Sequence, residues 1–257
     1  MSICISYDSS FDGFLSAVFE IYSQHLDVEN FIPDRDTETT ADLFQQNFRV
    51  ETNEDSAMRL RRAIVNYASE DVFTLLETAF LSEERGIEMK IFAFLRKLFA
   101  GDDPNYGKNP ASPEMLPLYK LAGSVRHEAG HMLGMVRFSK AQGNFYVSKI
   151  DPKYDILLMI EPHFRNRFSG ENWIIYDEKR KYAILHDHMG ESRVVTLPDA
   201  TALTEAIRSD TFTQLWQDYY KSIAIKEREN PKLLRRCLPT RYWKNLTERQ
   251  AASTLAL

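Results

Sequence analysis

The main change in the spacing of apolar residues along this chain falls near residue 135, and this change restricts the fold more than any other feature of the sequence. Before it, apolar side chains recur mostly at steps of three or four, as at Leu118, Leu121 and Val125, which predicts amphipathic helices. Beyond it, short alternating stretches separated by turn residues predict strands at 135–139, 144–150, 173–177, 181–186 and 193–197. Short connections favour antiparallel pairing. We therefore predict an α+β fold, with helices packed around a mostly antiparallel sheet of about five strands.

Further strands and helices are predicted before, within and after this region of the sequence. Strand-like stretches lie at about 3–7 and 44–51, and helices are predicted at about 11–25, 53–67, 72–81, 87–99, 113–133, 200–208 and 212–223. Another helix, at about 154–168, interrupts the strands, and Pro162 in its middle should end or kink it. The clearest break is the run of turn formers at 101–110. We expect a single domain over 1–257, with a mainly helical part (1–101) and an α+β part (112–249) meeting near residues 101–112.

Composition indicates a globular protein and argues against several other classes. The chain has 257 residues, of which 44% are hydrophobic, so it can bury a sizeable core. No run of about 18 apolar residues is present, and the first residues lack the features of a signal peptide, so we expect a cytoplasmic protein without a membrane span. The two cysteines, Cys4 and Cys237, are too few for a disulfide framework.

The charge is distributed unevenly along the chain. The net charge is −5, which disfavours nonspecific coating of nucleic acid by the whole surface. Residues 1–57 contain twelve acidic side chains and only Arg35 and Arg49 as bases, a balance of −10. Residues 221–249 contain nine bases and three acids, a balance of +6. A basic C-terminal region is therefore the part of the chain best suited to phosphate.

A possible zinc motif lies where the predicted helix meets the first strand of the sheet. His127, Glu128 and His131 match the H-E-x-x-H pattern, in which two histidines one helical turn apart hold zinc and the glutamate activates a bound water. Arg137 stands where the longer form of the motif has its third histidine, and a guanidinium is not a zinc ligand. A third ligand would have to come from Glu161 or His163. The alternative is a histidine pair at a helix C-terminus, where positive charge is favourable.

Other residues carry a resemblance that extends from Tyr7-Asp8 to Glu248. Its main motifs are His131-Met132 with Met135-Val136-Arg137-Phe138; Ile160-x-Pro162-His163-Phe164-x-x-Arg167-Phe168; Trp173-x-Ile175-Tyr176-Asp177; Asn230-Pro231-x-Leu233; and Pro239-x-Arg241-Tyr242-Trp243-Lys244-Asn245-Leu246. Together they resemble an uncharacterised bacterial family described as probable DNA metabolism or repair proteins.

The resemblance implies a function and a partner. Members of that family sit beside a radical-SAM protein of presumed DNA repair function, and the same domain occurs fused to uracil-DNA-glycosylase-like domains. His131 and the Arg-Phe pair at 137–138 recur in the family, whereas the position of His127 need not be histidine. The resemblance therefore weighs against the zinc motif and favours an accessory role in DNA repair or modification.

The residues that carry the resemblance also suit nucleic acid chemically. Arginine and lysine bind phosphates, and aromatic rings such as those of Phe168 and Trp173 can stack on unpaired bases. An amphipathic anchor is the alternative interpretation of the Arg-Tyr-Trp-Lys run at 241–244. We expect nucleic-acid contacts at His131, Arg137, His163, Arg165, Arg167, Arg241, Tyr242, Trp243 and Lys244.

Three functional hypotheses follow. The favoured one is a DNA repair or modification accessory protein that acts with a radical-SAM partner and contacts nucleic acid through its basic C-terminal region. The second is a zinc-dependent hydrolase in which His127 and His131 hold the metal and Glu128 is the general base. The third is a protein–protein adaptor that does not bind nucleic acid. No catalytic residue is predicted for the favoured hypothesis.

Overall fold

The computed structural model describes residues 3–36, 46–101, 103, 105–141, 145–198, 203, 222 and 230–246. The chain forms two compact units, Met1–Arg126 and His127–Leu257. The boundary lies further along the chain than the joint predicted at 101–112, because the helix that follows this stretch contributes residues to both units. The helices predicted at 200–208 and 212–223 lie outside the described residues, apart from Leu203 and Ser222.

The first unit combines a small parallel sheet with helices. Its elements are β1 (Ile3–Tyr7), α1 (Phe11–Gln24), β2 (Val28–Pro33), β3 (Gln46–Arg49), α2 (Glu54–Tyr67), α3 (Glu70–Phe80), α4 (Ile87–Ala100) and the first part of α5 (Met115–Met135). The strand order is β2-β1-β3, and β1 pairs in parallel with both neighbours. The two predicted N-terminal strands are thus present, together with β2, which we did not predict.

Local sequence signals explain where these helices begin. Ser10, Asn53 and Ser69 are N-cap residues, and each side chain accepts a hydrogen bond from the backbone N–H three residues ahead. Acidic residues occupy the first turns of α1, α2 and α3, where they interact favourably with the helix dipole. At the other end of α4, Gly101 adopts the left-handed conformation, with φ of 74°, that commonly ends a helix.

Aromatic side chains form much of the core of the first unit. Phe14 is fully buried and contacts Tyr7, Phe11, Phe31 and Phe80, with ring centroids 5.1–6.2 Å apart. The predicted apolar stripe of α1 is therefore core, as its helical spacing indicated. Met115, Leu118 and Ala122 of α5 complete this core.

A polar cluster lies where β1 ends. The carboxylate of Asp8 accepts hydrogen bonds from the Ser10 backbone N–H (3.0 Å), the Ser10 hydroxyl (2.6 Å) and the Thr52 hydroxyl (2.6 Å). Burial alone would raise the pKa of Asp8, but these hydrogen bonds outweigh it and lower the pKa below its usual value. Gly13 approaches so closely that a Cβ there would lie 2.1 Å from an Asp8 oxygen. This cluster therefore ties β1, the start of α1 and the residues after β3 together.

The second unit contains the larger sheet. Its elements are the last part of α5, β4 (Ser139–Ala141), β5 (Phe145–Ile150), α6 (Leu157–Arg167), β6 (Asn172–Asp177), β7 (Tyr182–His186), β8 (Ser192–Thr196) and α7 (Pro231–Cys237), followed by a 3-10 helix (Thr240–Asn245). The five strands lie in the order β4 to β8. All neighbouring pairs are antiparallel except β5 and β6, which are parallel. The predicted α+β fold with a mostly antiparallel five-stranded sheet is confirmed.

The parallel pair results from α6, which connects β5 to β6 as a crossover. This helix continues through Pro162, so the prediction that it could end there is wrong. Pro162 stands at the sixth position, where its ring removes a single backbone donor from a helix of only 11 residues. The first predicted strand also differs, since α5 extends to Met135 and β4 begins only at Ser139.

The strand register assigns side chains to the two faces of this sheet. One face carries Val147, Ile174, Tyr176 and Ala183, which form a buried cluster. The opposite face carries Tyr146, Trp173 and His186, which are aligned across β5, β6 and β7. The rings of Trp173 and His186 stack with centroids 4.9 Å apart. In the part of the chain that the structure describes, no helix is both long and apolar enough to cross a membrane.

Candidate functional site

The two histidines of the H-E-x-x-H motif lie on the solvent-exposed side of α5. His127 and His131 are exposed, and their ring centroids are 4.1 Å apart, as expected for residues one helical turn apart. The intervening Glu128 is buried. It falls on the apolar stripe of the helix, together with Val125, Ala129 and Met132. Two of the three motif residues therefore face solvent, and the third lies in the interior.

The carboxylate of Glu128 is fully occupied by contacts within the second unit. One oxygen accepts a hydrogen bond from the Lys153 backbone N–H (3.0 Å), and the other accepts one from the Tyr154 backbone N–H (2.8 Å). The Arg241 guanidinium donates to it at 2.7 Å, and the Tyr242 hydroxyl also donates. Glu128 thus fastens the β5–α6 connection and the 3-10 helix at Thr240–Asn245 to α5.

This arrangement does not fit a zinc site. Zinc in a hydrolase needs three protein ligands and a general base near the metal-bound water. No group of three or more His, Cys, Asp or Glu side chains that could hold a metal occurs among the described residues. Glu128 is engaged by four donors in the interior, so it is not available as a base beside the two exposed rings.

The C-terminal 3-10 helix contains four of the predicted nucleic-acid contacts, of which Tyr242 is buried and the other three are exposed or half-buried. Tyr242 is 5% exposed, so its ring lies in the interior and offers no open stacking face. Burial, followed by the hydrogen bond to Glu128, raises the pKa of Tyr242. For Arg241 burial acts to lower the pKa, but Tyr242 and Glu128 outweigh it and raise the pKa. The half-buried indole of Trp243 donates to the Leu238 carbonyl at 2.9 Å.

Lys244 is also engaged in ion pairs. Its ammonium lies 2.6 Å from an Asp151 oxygen and 3.0 Å from a Glu178 oxygen. Burial would lower the pKa of Lys244, but hydrogen bonds to these two carboxylates raise it overall. Arg241 and Lys244 therefore neutralise acidic groups of the same unit, and the alternative interpretation of this run as an anchor describes their contacts well.

The junction between α5 and β4 contains Arg137 and Phe138. The Arg137 guanidinium donates to the carbonyls of Gly134 (2.8 Å) and Val136 (3.2 Å), and so satisfies acceptors at the end of α5. Phe138 packs against Phe164, Phe168 and Trp173, with ring centroids 5.6, 5.3 and 6.2 Å away. The Arg-Phe pair thus ends a helix and begins an aromatic cluster.

The end of α6 presents three predicted contacts to solvent. His163, Arg165 and Arg167 are exposed. Arg165 lies 3.5 Å from Glu161, in a long ion pair between a half-exposed arginine and a carboxylate that is only 12% exposed. The guanidinium of Arg167 lies 5.7 Å from the centre of the Phe168 ring. Arg165 and Arg167 in the last turn also interact favourably with the helix dipole.

A cleft opens beside this end of α6. Its volume is about 240 Å³, and it is lined by Phe138, Tyr146, Phe168, Glu171 and Trp173. Four of these five residues are aromatic, and they come from the α5–β4 junction, from β5, from the residues after α6 and from β6. The cleft therefore depends on the parallel pairing of β5 with β6, which places Tyr146 beside Trp173.

Only part of this cleft could be predicted from the sequence. Phe138 belonged to a motif of the resemblance, and Phe168 and Trp173 were considered as stacking faces, whereas Tyr146 and Glu171 were missed. The signal for Tyr146 was its position in a predicted strand of the same sheet, but the parallel register that pairs Tyr146 with Trp173 was not predicted. Of the predicted nucleic-acid contacts, Arg167 lies beside the cleft residue Phe168, and Arg137 precedes the cleft residue Phe138.

The fold and the site define the class of this protein: it is an α+β protein of two compact units, and the second unit carries an aromatic cleft beside an exposed basic helix end. The chain belongs to the family described as a domain of unknown function, DUF4130, whose model matches residues 85–248. The match includes all of the cleft and excludes the three-stranded sheet of the first unit. No curated protein matches the chain significantly.

Proposed function

We propose that the protein is a cytoplasmic accessory protein of DNA repair or modification that binds single-stranded DNA with its second unit and acts with a radical-SAM partner. The observation that carries the DNA-binding part is the aromatic cleft beside the exposed cations of α6. Proteins that bind single strands combine cations that follow the backbone with aromatic rings on which bases stack. The partner is inferred from the family resemblance given by the sequence motifs.

The cations best suited to phosphate differ from those favoured by sequence alone. Arg241 and Lys244 already neutralise buried or half-buried carboxylates, so a phosphate would have to compete with these contacts. Arg165 and Arg167 are held less tightly, because Arg165 lies 3.5 Å from its carboxylate, against 2.7 Å for Arg241 and 2.6 Å for Lys244, and the exposed Arg167 lies over an aromatic ring. We therefore assign the main phosphate contacts to the end of α6 and a lesser role to residues 241–244.

Removing both arginines of α6 is expected to weaken DNA binding and to reduce its dependence on salt. Each lost phosphate contact on a single strand lowers the slope of log affinity against log salt by about 0.7, so the variant carrying Arg165→Gln and Arg167→Gln should lose about 1.4 from this slope. Fluorescence anisotropy with a labelled oligonucleotide at several salt concentrations measures both quantities.

The matched control carries Arg59→Gln and Arg62→Gln. These two exposed arginines lie on α2 of the first unit, and their replacement changes the net charge by the same amount. This control should bind DNA like the unchanged protein. An unchanged affinity and salt slope in the Arg165/Arg167 variant would contradict the proposal.

The partner requires a separate experiment. We expect the protein to co-purify with the radical-SAM protein when both are expressed together, and to retain this complex after nuclease treatment. A stable complex combined with no affinity for DNA would favour the adaptor hypothesis instead. Absence of a complex would remove the partner from the proposal and leave the DNA-binding part to be decided by the salt experiment.

A further inference from the structure

We propose that the cleft formed by Phe138, Tyr146, Phe168, Glu171 and Trp173 binds one unpaired guanine base of a single strand. This inference rests on the proposed function and adds the ligand of a particular site to it. Three observations carry it: the size of the cleft, its aromatic lining, and the hydrogen-bonding groups of Glu171 and Trp173.

The size of the cleft limits its occupant. A volume of about 240 Å³ is below the range of ~300–1,000 Å³ that is typical of pockets for drug-sized ligands. A dinucleotide or a large cofactor would therefore not fit inside it, whereas a single planar ring system would. The sugar and phosphate attached to such a ring would remain outside.

The lining suits a flat aromatic ligand. Phe138 meets Phe168 at 72° and Trp173 at 64°, so these rings contact one another edge to face rather than in a closed stack. Trp173 is 1% exposed and already stacks on His186, so the half-buried rings of Phe138 and Phe168 are the ones on which a base can stack. Stacking on an aromatic side chain contributes about 1–3 kcal/mol per base. The half-buried ring of Tyr146 contributes to the same lining.

Glu171 determines which chemical group can enter. Its carboxylate has no hydrogen-bond or ion-pair partner within the part of the chain that the structure describes, although it lines a largely apolar cleft. A carboxylate only accepts hydrogen bonds and repels phosphate, so the phosphodiester is kept outside and a donor-rich group is favoured inside. Among the four DNA bases, guanine alone presents two adjacent donors, the N1–H and the N2 amino group, on its Watson–Crick edge. Glu171 therefore matches guanine in a bidentate manner.

Trp173 supplies an independent observation. Its side chain is 1% exposed, and its indole N–H lacks a hydrogen-bond acceptor among the described residues. A buried donor without an acceptor is unfavourable, so a ligand acceptor at this site would stabilise the bound state. Guanine carries such an acceptor, O6, directly beside its N1–H. The lining thus offers both acceptor and donor groups that complement one base edge.

Residues beside the cleft would supply the positive charge that the phosphates of the strand need. Arg167 lies against the ring of Phe168, which lines the cleft, and Arg165 is on the same helix end. A strand whose base occupies the cleft would therefore have its backbone close to positive charge. The acidic cleft and the basic rim separate the two parts of a nucleotide.

Binding to oligothymidine strands with a single central substitution tests the proposal. A strand with one central guanine should bind about tenfold more tightly than the all-thymine strand, a difference of about 1.4 kcal/mol, and more tightly than strands with a central adenine or cytosine. Hypoxanthine at the same position lacks the N2 amino group but keeps the N1–H, so its affinity should lie between those of guanine and thymine. Equal affinities for all these strands would overturn the guanine site.

Two variants extend the test. Glu171→Gln replaces the double acceptor with one acceptor and one donor, so the preference for guanine should disappear while the salt slope remains. Phe168→Ala should lower the affinity for the strand with the central guanine by roughly tenfold, as expected for loss of one stacking ring. Thermal unfolding shows whether each variant is folded, and the hypoxanthine strand tests the same hydrogen bonds in the unaltered protein.

The outcomes separate this inference from the proposed function. DNA binding that depends on Arg165 and Arg167 but shows no base preference would overturn the guanine site and retain the function. No DNA binding at any salt concentration would overturn both. If Phe168→Ala left DNA affinity unchanged but prevented complex formation with the radical-SAM protein, the cleft would be a protein-docking site, and the guanine proposal would be wrong.

Discussion

Replacing Glu128 with alanine is expected to lower the free energy of unfolding of the second unit by about 3 kcal/mol. The substitution leaves the backbone N–H groups of Lys153 and Tyr154 without the acceptor they have now, and it removes the buried partner of Tyr242. The contribution of Arg241 is smaller because 47% of its side chain is exposed. Urea denaturation followed by tryptophan fluorescence measures the change, since all three tryptophans lie in the second unit.

His127→Ala and His131→Ala are the matched controls for this prediction. Both residues lie within one helical turn of Glu128 but face solvent, so each substitution should change stability by no more than about 0.5 kcal/mol. A metal site would reverse this order, because loss of either histidine would remove a ligand. Stoichiometric zinc in protein purified without chelators, together with strong destabilisation by the histidine variants, would contradict the structural role assigned to Glu128.

Gly13→Ala is expected to destabilise the first unit by about 2 kcal/mol, because the added methyl group must displace Asp8. The new Cβ would lie 2.1 Å from an Asp8 oxygen and 2.9 Å from the Thr52 hydroxyl oxygen. Asp8 has a short side chain held by three hydrogen bonds, so it cannot move aside without losing some of them. Chemical denaturation followed by far-ultraviolet circular dichroism reports the loss.

Gly123→Ala is a control that is expected to change stability in the opposite direction. Gly123 lies inside α5, and nothing lies within 4 Å of the position that its Cβ would occupy. Replacing an unhindered helical glycine with alanine stabilises by about 0.5–1 kcal/mol, since glycine loses more conformational freedom on folding. If both variants changed stability in the same direction and by the same amount, the close packing around Gly13 would not be the cause.

The helices and most strands could be predicted because their signals are local. The apolar spacing of α1 and the N-cap residues Ser10 and Asn53 determine where elements begin and which face is buried. Strand pairing depends on distant residues, and short connections indicate antiparallel pairing only between strands that follow each other directly. A helix between two strands of one sheet normally gives a parallel crossover, so the parallel β5–β6 pair was implied by the predicted strand–helix–strand order.

The site was harder to predict because its residues are brought together by contacts over long sequence distances. Glu128 had a signal in the sequence, since it falls on the same helical stripe as Val125, Ala129 and Met132, which indicates burial. Its partners Arg241 and Tyr242 are more than 100 residues away, and no local pattern connects them. The cleft likewise needs the register of β5 against β6, which places Tyr146 opposite Trp173.

The contact between Glu128 and the C-terminal 3-10 helix has a consequence for biosynthesis. Arg241 is made 113 residues after Glu128, so on the ribosome this carboxylate is synthesised long before two of its four donors exist. The first unit has no such dependence in its core, which is formed by residues up to Ala122. The two units should therefore mature in sequence, with the first folding during translation and the second becoming stable only after residue 242 has emerged.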